Sequence, residues 1–359
     1  MKKFYSLACA IFVAALFALV ACGDTSKNNT TKESKLSVVT TIYPEFSWEK
    51  SILGNRADSV KLELLMKNGV DLHSYKPTAH DVAKIASADM VIYVGGESDE
   101  WIKDALAASQ KKGRIEINLM DVLGDRVKAE EIVEGMQAEE EHHDHNKVIE
   151  PAEMTHNDEH EHHAEHAEEH EHHHHHDEEV ENDEHVWLSL KNAEIIVKKI
   201  AEELSKLDAA HATIYKQNTD AYVAQIQALD AEYRETVEKA TRKTILFGDR
   251  FPFRHLVDDY SIKYYAAFVG CSAESEASFE TIAFLANKMD SDSLPAIFTL
   301  ENSNKKIANA ILTASKNSKN AQILDINSMQ SITEQQIVEG ISYLSIMQKN
   351  LDVLKKALN

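Results

Sequence analysis

Gly69–Ile102 reads GVDLHSYKPTAHDVAKIASADMVIYVGGESDEWI. Thr78 stands where an N-cap belongs, ahead of a helical run to Ala88. Such hydroxyls accept a hydrogen bond from the open first turn. Met90–Val94 (MVIYV) is a short, wholly apolar run, closed by Gly95-Gly96 and followed by a second helical stretch, Glu100–Ser109. A strand with no polar alternation is covered on both faces, which is the condition of a parallel sheet flanked by helices. This stretch therefore predicts an α/β fold.

The same grammar extends in both directions. Leu36–Ile42 (LSVVTTI) and Val60–Leu65 (VKLELL) read as strands on either side of a helix at Glu45–Leu53, and Ile115–Leu119 as a further strand. From Asn192 the pattern turns helical, with Ile196, Ile200, Leu204 and Leu207 on one face. A second run carries Tyr215, Tyr222, Ile226, Leu229 and Tyr233 with no Gly or Pro, so a backbone helix of about thirty residues, ~45 Å long, is expected over 209–240. Strands then alternate with helices again: Thr244–Phe247, Lys263–Val269, Ala296–Leu300 and Gln322–Ile326, with helices at Pro252–Asp259, Phe279–Met289, Lys305–Ser315 and a closing helix at Thr333–Leu358. The expected architecture is two Rossmann-like parallel lobes, 36–190 and 242–359, joined by a helical region at 191–241.

The formal charge of -22 is localised. Glu139–His185 carries 19 carboxylates against one lysine, about -18 of that total, and 14 of the 19 histidines lie between His142 and His176. Apolar residues are too sparse there to offset the entropy of ordering, so residues 139–182 read as a disordered insert. Neutral imidazole is the commonest protein ligand for zinc, copper and nickel. His142, His143, His145, His160, His162, His163, His166, His170, His172, His173, His174, His175 and His176 are accordingly expected to recruit metal. The remainder of the chain is near -4, and no basic patch points to nucleic acid.

Met1-Lys2-Lys3 followed by apolar Leu7–Val20 has the form of a secretory signal, residues 1–21. Leu19-Val20-Ala21-Cys22 resembles a bacterial lipobox, which implies lipid on Cys22, a tether over 22–35 and an extracytoplasmic, membrane-anchored protein on the outer face or in the periplasm. Cys9 is then removed and Cys271 stands alone, so no intramolecular disulfide is expected.

Outside the insert five histidines remain: His73, His80, His185, His211 and His255. His73 falls in a loop between a strand and a helix, where open α/β sheets bind ligands. His185 ends the insert in NDEHVWL, just before the helical region. His80 and His211 read as surface residues.

These motifs carry a resemblance. Gly69–Ile102, the NDEHVWLSLKNA segment and the closing ISYLSIMQKNLDVLKKALN are similar to the zinc- and manganese-binding lipoproteins that serve as solute receptors of metal ABC transporters. The resemblance covers Leu36–Asn359 and implies a metal site in the cleft between two lobes, with His73 and His185 as ligands. It also implies a histidine or glutamate directly after the first strand of lobe two. That strand reads TILFG and is followed by Asp249, the expected third ligand, with His255 as alternative. The fourth ligand would be a carboxylate after a late strand, where this chain has Asn327-Ser328, leaving Asp325 or Glu301. The histidine-rich insert favours zinc, with manganese the rival.

The expectation is a monomeric, non-enzymatic receptor that hands Zn2+ to an ABC permease and its ATPase, the insert recruiting or buffering metal. An adhesin or a metal store without transport is the alternative. A zinc hydrolase is disfavoured because the one His-Glu-x-x-His spacing, His170–His174, falls in the insert that reads as disordered and not on a helix.

Overall fold

A computed structural model describes residues 35–109, 111–137, 181–272, 276–318 and 320–359. The expected signal segment, Cys22, the tether up to residue 34 and all of His142–His176 lie outside the described residues. Lobe one runs β1 (Ser37–Thr40), α1 (Tyr43–Leu53), β2 (Lys61–Leu64), α2 (Ala79–Ser87), β3 (Met90–Tyr93), α3 (Trp101–Ala107), β4 (Ile115–Asn118) and α4 (Leu119–Leu123). Two long helices follow, α5 (Leu190–Leu207) and α6 (Ala212–Lys239). Lobe two runs β5 (Thr244–Phe251), α7 (Arg254–Tyr260), β6 (Lys263–Val269), α8 (Phe279–Ser291), β7 (Ala296–Leu300), α9 (Lys306–Ala314), β8 (Gln322–Ile326), α10 (Glu334–Val338) and α11 (Tyr343–Leu358).

Both sheets are parallel and have one topology, β2-β1-β3-β4 and β6-β5-β7-β8. Every residue of β1, β3 and β7 is buried, as expected where helices cover both faces. The strand order reverses at β1/β3 and at β5/β7, and such switch points open crevices beyond the carboxyl ends of the strands. Local chemistry sets the helix starts. Thr78 and Asp81 form a reciprocal capping box on α2, and the Ser189 hydroxyl accepts from Asn192 N at 3.0 Å to open α5.

The 28-residue α6 is about 42 Å long. Its buried face, which includes Tyr215, Tyr222, Ile226, Leu229, Tyr233 and Val237, packs among α1, α5 and α11. One continuous apolar core runs from Val38 and Trp48 in lobe one, past Ile196 and Ile226, to Phe247, Phe298 and Leu351 in lobe two. Hydrogen bonds cross the same seam: Tyr43 Oη donates to Ile341 O at 2.6 Å, Tyr343 Oη to Trp187 O at 2.8 Å, and Trp187 Nε1 to Ser328 O at 2.9 Å. The lobes are braced, not loosely hinged.

Two expectations are corrected. The closing helix is broken: Gly340 at φ 87 ends α10 with a backbone turn that side chains disfavour, and Ser342 starts α11 by accepting from Ser345 N. In lobe two, β5 continues past Phe247 to Phe251 through a register shift against β6, so α7 begins at Arg254 instead of Pro252.

Glu49 on α1 is fully buried, and neither carboxylate oxygen has a hydrogen-bond partner among the described residues. Burial pushes its pKa from 4.5 up to about 8. The folded state therefore favours the neutral acid. Its stabilising contribution is complete below the unfolded pKa and is lost as pH rises towards the folded one, by roughly 5 kcal/mol at ~1.4 kcal/mol per pH unit. We predict that Glu49→Gln is more stable than wild type near pH ~8 but matches it near pH ~4, as read from denaturant midpoints at the two pH values.

Candidate metal centre

A cavity of about 600 Å³ opens between the carboxyl ends of the two sheets. Lobe one lines it with Asp71, His73 and Ser74, and lobe two with residues that include Asp249, Arg250, Cys271, Glu301, Ser328 and Gln330.

His73 sits in a single 3-10 turn, Leu72–Ser74, whose start is capped by Asp71: Oδ1 accepts from His73 N at 3.0 Å. The other Asp71 oxygen accepts from Arg250 Nη2 at 3.0 Å, so one carboxylate holds the histidine turn and reaches across to lobe two. The His73 Nδ1 lies 2.7 Å from Ser98 Oγ, and Ser98 is itself fixed by donating its N–H to Glu184 Oε1 at 2.8 Å. Glu184 fits closely because residue 96 is glycine; a Cβ there would fall 2.1 Å from Oε1.

His185 is wholly buried beneath the cavity. Asp183 Oδ1 accepts from His185 N at 2.9 Å and stands 3.1 Å from its Nδ1. Trp187 packs at a tilt against the ring, 5.2 Å between centroids. The Nε2 atoms of His73 and His185 consequently meet at 3.2 Å. Gln330, from the loop after β8, brings its Nε2 to 3.0 Å from His185 Nε2 and 3.4 Å from His73 Nε2.

The two rings titrate in opposite directions. Burial, reinforced by the neighbouring His185, pulls His73 down to about 4. Burial also works against a charged His185, but the Asp183 carboxylate outweighs it and raises that ring. Of the two facing rings, His185 therefore holds a proton more tightly than His73, and a cation binding there competes with protons chiefly at His185.

The other expected ligands fall in different places. Asp249 lines the cavity, with its carboxylate accepting from Arg250 N at 3.0 Å and Leu300 N at 3.4 Å. Glu301 lines it too, with both oxygens occupied by Ser328, N at 2.7 Å and Oγ at 2.8 Å. Asp325 is exposed outside the cavity, taken by Thr299 Oγ1 at 2.7 Å and Lys305 Nζ at 2.8 Å. Although it lies near the carboxyl end of β8, its carboxylate turns to Thr299 on the neighbouring strand and to Lys305, and so does not line the cavity. His255 is buried on α7 behind the site, with Nε2 3.0 Å from Asp183 O, so it backs the Asp183 segment and does not face the cavity. Cys271 and Gln330 were not singled out from sequence. Each follows a lobe-two strand at its carboxyl end, the topological signal that could have found them.

The chain belongs to the ZnuA family, zinc-uptake complex component A, periplasmic, which matches residues 38–357. The zinc-binding lipoprotein AdcA of Streptococcus pneumoniae is 30% identical over 358 residues, 99% of this chain and 61% of that protein. The chain thus spans about 61% of the length of these AdcA relatives. The high-affinity zinc uptake system protein ZnuA of Bacillus subtilis is 29% identical over 349 residues, 96% of each chain. Among solved structures, the Zn(II)-bound ZnuA-like domain of S. pneumoniae AdcA superposes with a TM-score of 0.63 at 26% identity, covering 90% of this chain and 99% of that one. The metal-dependent lipoprotein YcdH of B. subtilis gives 0.65 at 25% identity, with the same coverage.

Because Asp183 both orients His185 and raises its proton affinity, we predict that metal affinity climbs with pH across neutrality, by at most about tenfold per pH unit. Asp183→Asn is expected to flatten that climb and weaken binding by roughly 10–100-fold. Competition titrations with a chromophoric chelator at three pH values check both.

Proposed function

We propose that this protein is an extracytoplasmic receptor that captures Zn2+ in the cleft between its lobes and delivers it to an ABC permease powered by an ATPase. The observation that carries this reading is the pair of imidazole Nε2 atoms at 3.2 Å. Donors bound to a tetrahedral zinc at ~2.0–2.1 Å stand about 3.3–3.4 Å apart, so these two nitrogens already span one edge of such a site. The Nδ1 atoms face Ser98 and Asp183, the outer contacts that fix a ligating histidine's tautomer and direction. The zinc-named relatives support the choice of metal.

No covalent chemistry is required of the site. The last histidine of the rich stretch, His176, precedes His185 by nine positions, so the stretch acts as an antenna that raises the local metal concentration beside the cleft. A lipid on Cys22 would hold the receptor at the membrane, within reach of the permease.

Calorimetry on three proteins tests the proposal: wild type, a variant lacking residues 139–181, and His73→Ala. One tight zinc site should survive the deletion and disappear in His73→Ala. Loss of the tight site on deleting the stretch would move the metal out of the cleft and end this reading.

A further inference from the structure

We propose that lobe two completes the zinc site with the Cys271 thiolate and the Gln330 side-chain amide, and not with carboxylates. The inference rests on the receptor reading above and names its remaining ligands. Among the described residues, His73, His185 and Cys271 form a group of metal-binding side chains whose ligand atoms all lie within 4.8 Å of one another. Cys271 stands two residues past the end of β6, beyond the carboxyl edge of that sheet, and lines the same cavity as His73. The preceding residue aids this approach. A Cβ on Gly270 would stand 3.0 Å from His185 Cε1 and 3.0 Å from Phe251 O, tighter than side-chain carbons ordinarily pack, so the glycine eases the approach of this backbone to the buried ring.

Gln330 supplies the other side of the site. With its Nε2 at 3.0 Å and 3.4 Å from the two histidine nitrogens, which are themselves 3.2 Å apart, the three atoms outline a triangle close to one face of a zinc tetrahedron. Half a turn about the last side-chain torsion exchanges Nε2 for Oε1 and presents a donor oxygen to the metal. The released Nε2 then faces Ser328 Oγ, which lies 3.3 Å from Oε1 before the turn. Glu301, gripping Ser328 through N and Oγ, is a positioning residue for that amide.

The carboxylates of lobe two are already committed to these contacts and to the backbone, as described for Asp249 and Glu301. Charge balance does not demand them, because Asp71, Asp183 and Glu184 surround the histidines. When zinc binds, the Cys271 S–H bond breaks heterolytically. Sulfur donates the electron pair to the metal, and the proton passes to the adjacent Glu130 carboxylate and on to solvent. A thiolate ligand selects zinc over manganese, which prefers oxygen.

Cobalt(II) in place of zinc reads the ligands directly. One equivalent added to the full chain should produce thiolate-to-cobalt charge-transfer absorption in the near ultraviolet, together with visible d–d bands. Cys271→Ser should lose the charge-transfer band, keep the d–d bands and bind zinc at least about tenfold more weakly; Asp249→Asn should keep both features. Gln330→Ala should shift the d–d bands while retaining the charge transfer. Absence of the charge-transfer band in wild type, or its persistence in Cys271→Ser, overturns the thiolate assignment. The wild-type spectrum decides this even if a variant fails to fold. An unchanged visible spectrum in Gln330→Ala overturns the amide. In each of these cases the receptor reading survives as long as His73→Ala abolishes the d–d bands. A wild-type chain that takes up neither metal sinks the receptor reading itself.

Discussion

The contact between Asp183 and His185 sets the terms for everything around it. Both residues are buried, and an isolated charge at that depth would be prohibitive, so the acid and the ring must be held together. Asp183 does this twice, through the His185 backbone N–H and through Nδ1. His255 supports the same segment from behind, and Trp187 packs against the ring. What remains is one nitrogen pointing at the cleft. His73 is then brought to that nitrogen by an independent set of contacts from lobe one, through Asp71 and Ser98.

This arrangement explains why a long, stiff brace suits the molecule. The imidazole pair belongs to lobe one, whereas most of the cavity it faces is walled by lobe two, so the cavity keeps its shape only if the lobes do not drift. The core shared along α1, α5, α6 and α11 prevents drift by removing any apolar seam along which the lobes could part cheaply. Preorganisation of this kind reduces the ordering that binding would otherwise require.

Much of the fold was legible because parallel strands buried on both faces leave short apolar runs that turn residues separate, and helix caps such as Thr78 and Ser189 mark where helices begin. That His73 and His185 lie together was legible from the loop position of the first and from the motifs around both. The lobe-two side of the site was harder to read. Counting residues along β5 could not foresee that the strand runs on to Phe251 through a register shift between Phe247 and Arg250, with Asp249 inside it. Cys271 was weighed only as an unpaired cysteine, because sequence shows disulfide arithmetic more readily than proximity to a histidine 86 positions away. Gln330 carries no charge, so a search for acids passed over it. The break at Gly340 was visible in principle, but the apolar periodicity on both sides of it masked the interruption.

One detail of lobe one bears on how motion in this protein could be watched. The His73 turn is reached through Asn68 and Gly69, consecutive residues at φ 62 and φ 79, and its side-chain links to lobe two are few: the Asp71–Arg250 pair and the Gln330 amide. The easiest movement is therefore a swing of this short loop against a stationary frame. A dye pair with one fluorophore on each lobe would stay silent through capture and release, whereas a single environment-sensitive probe at exposed Ser74 would track every ion that comes and goes.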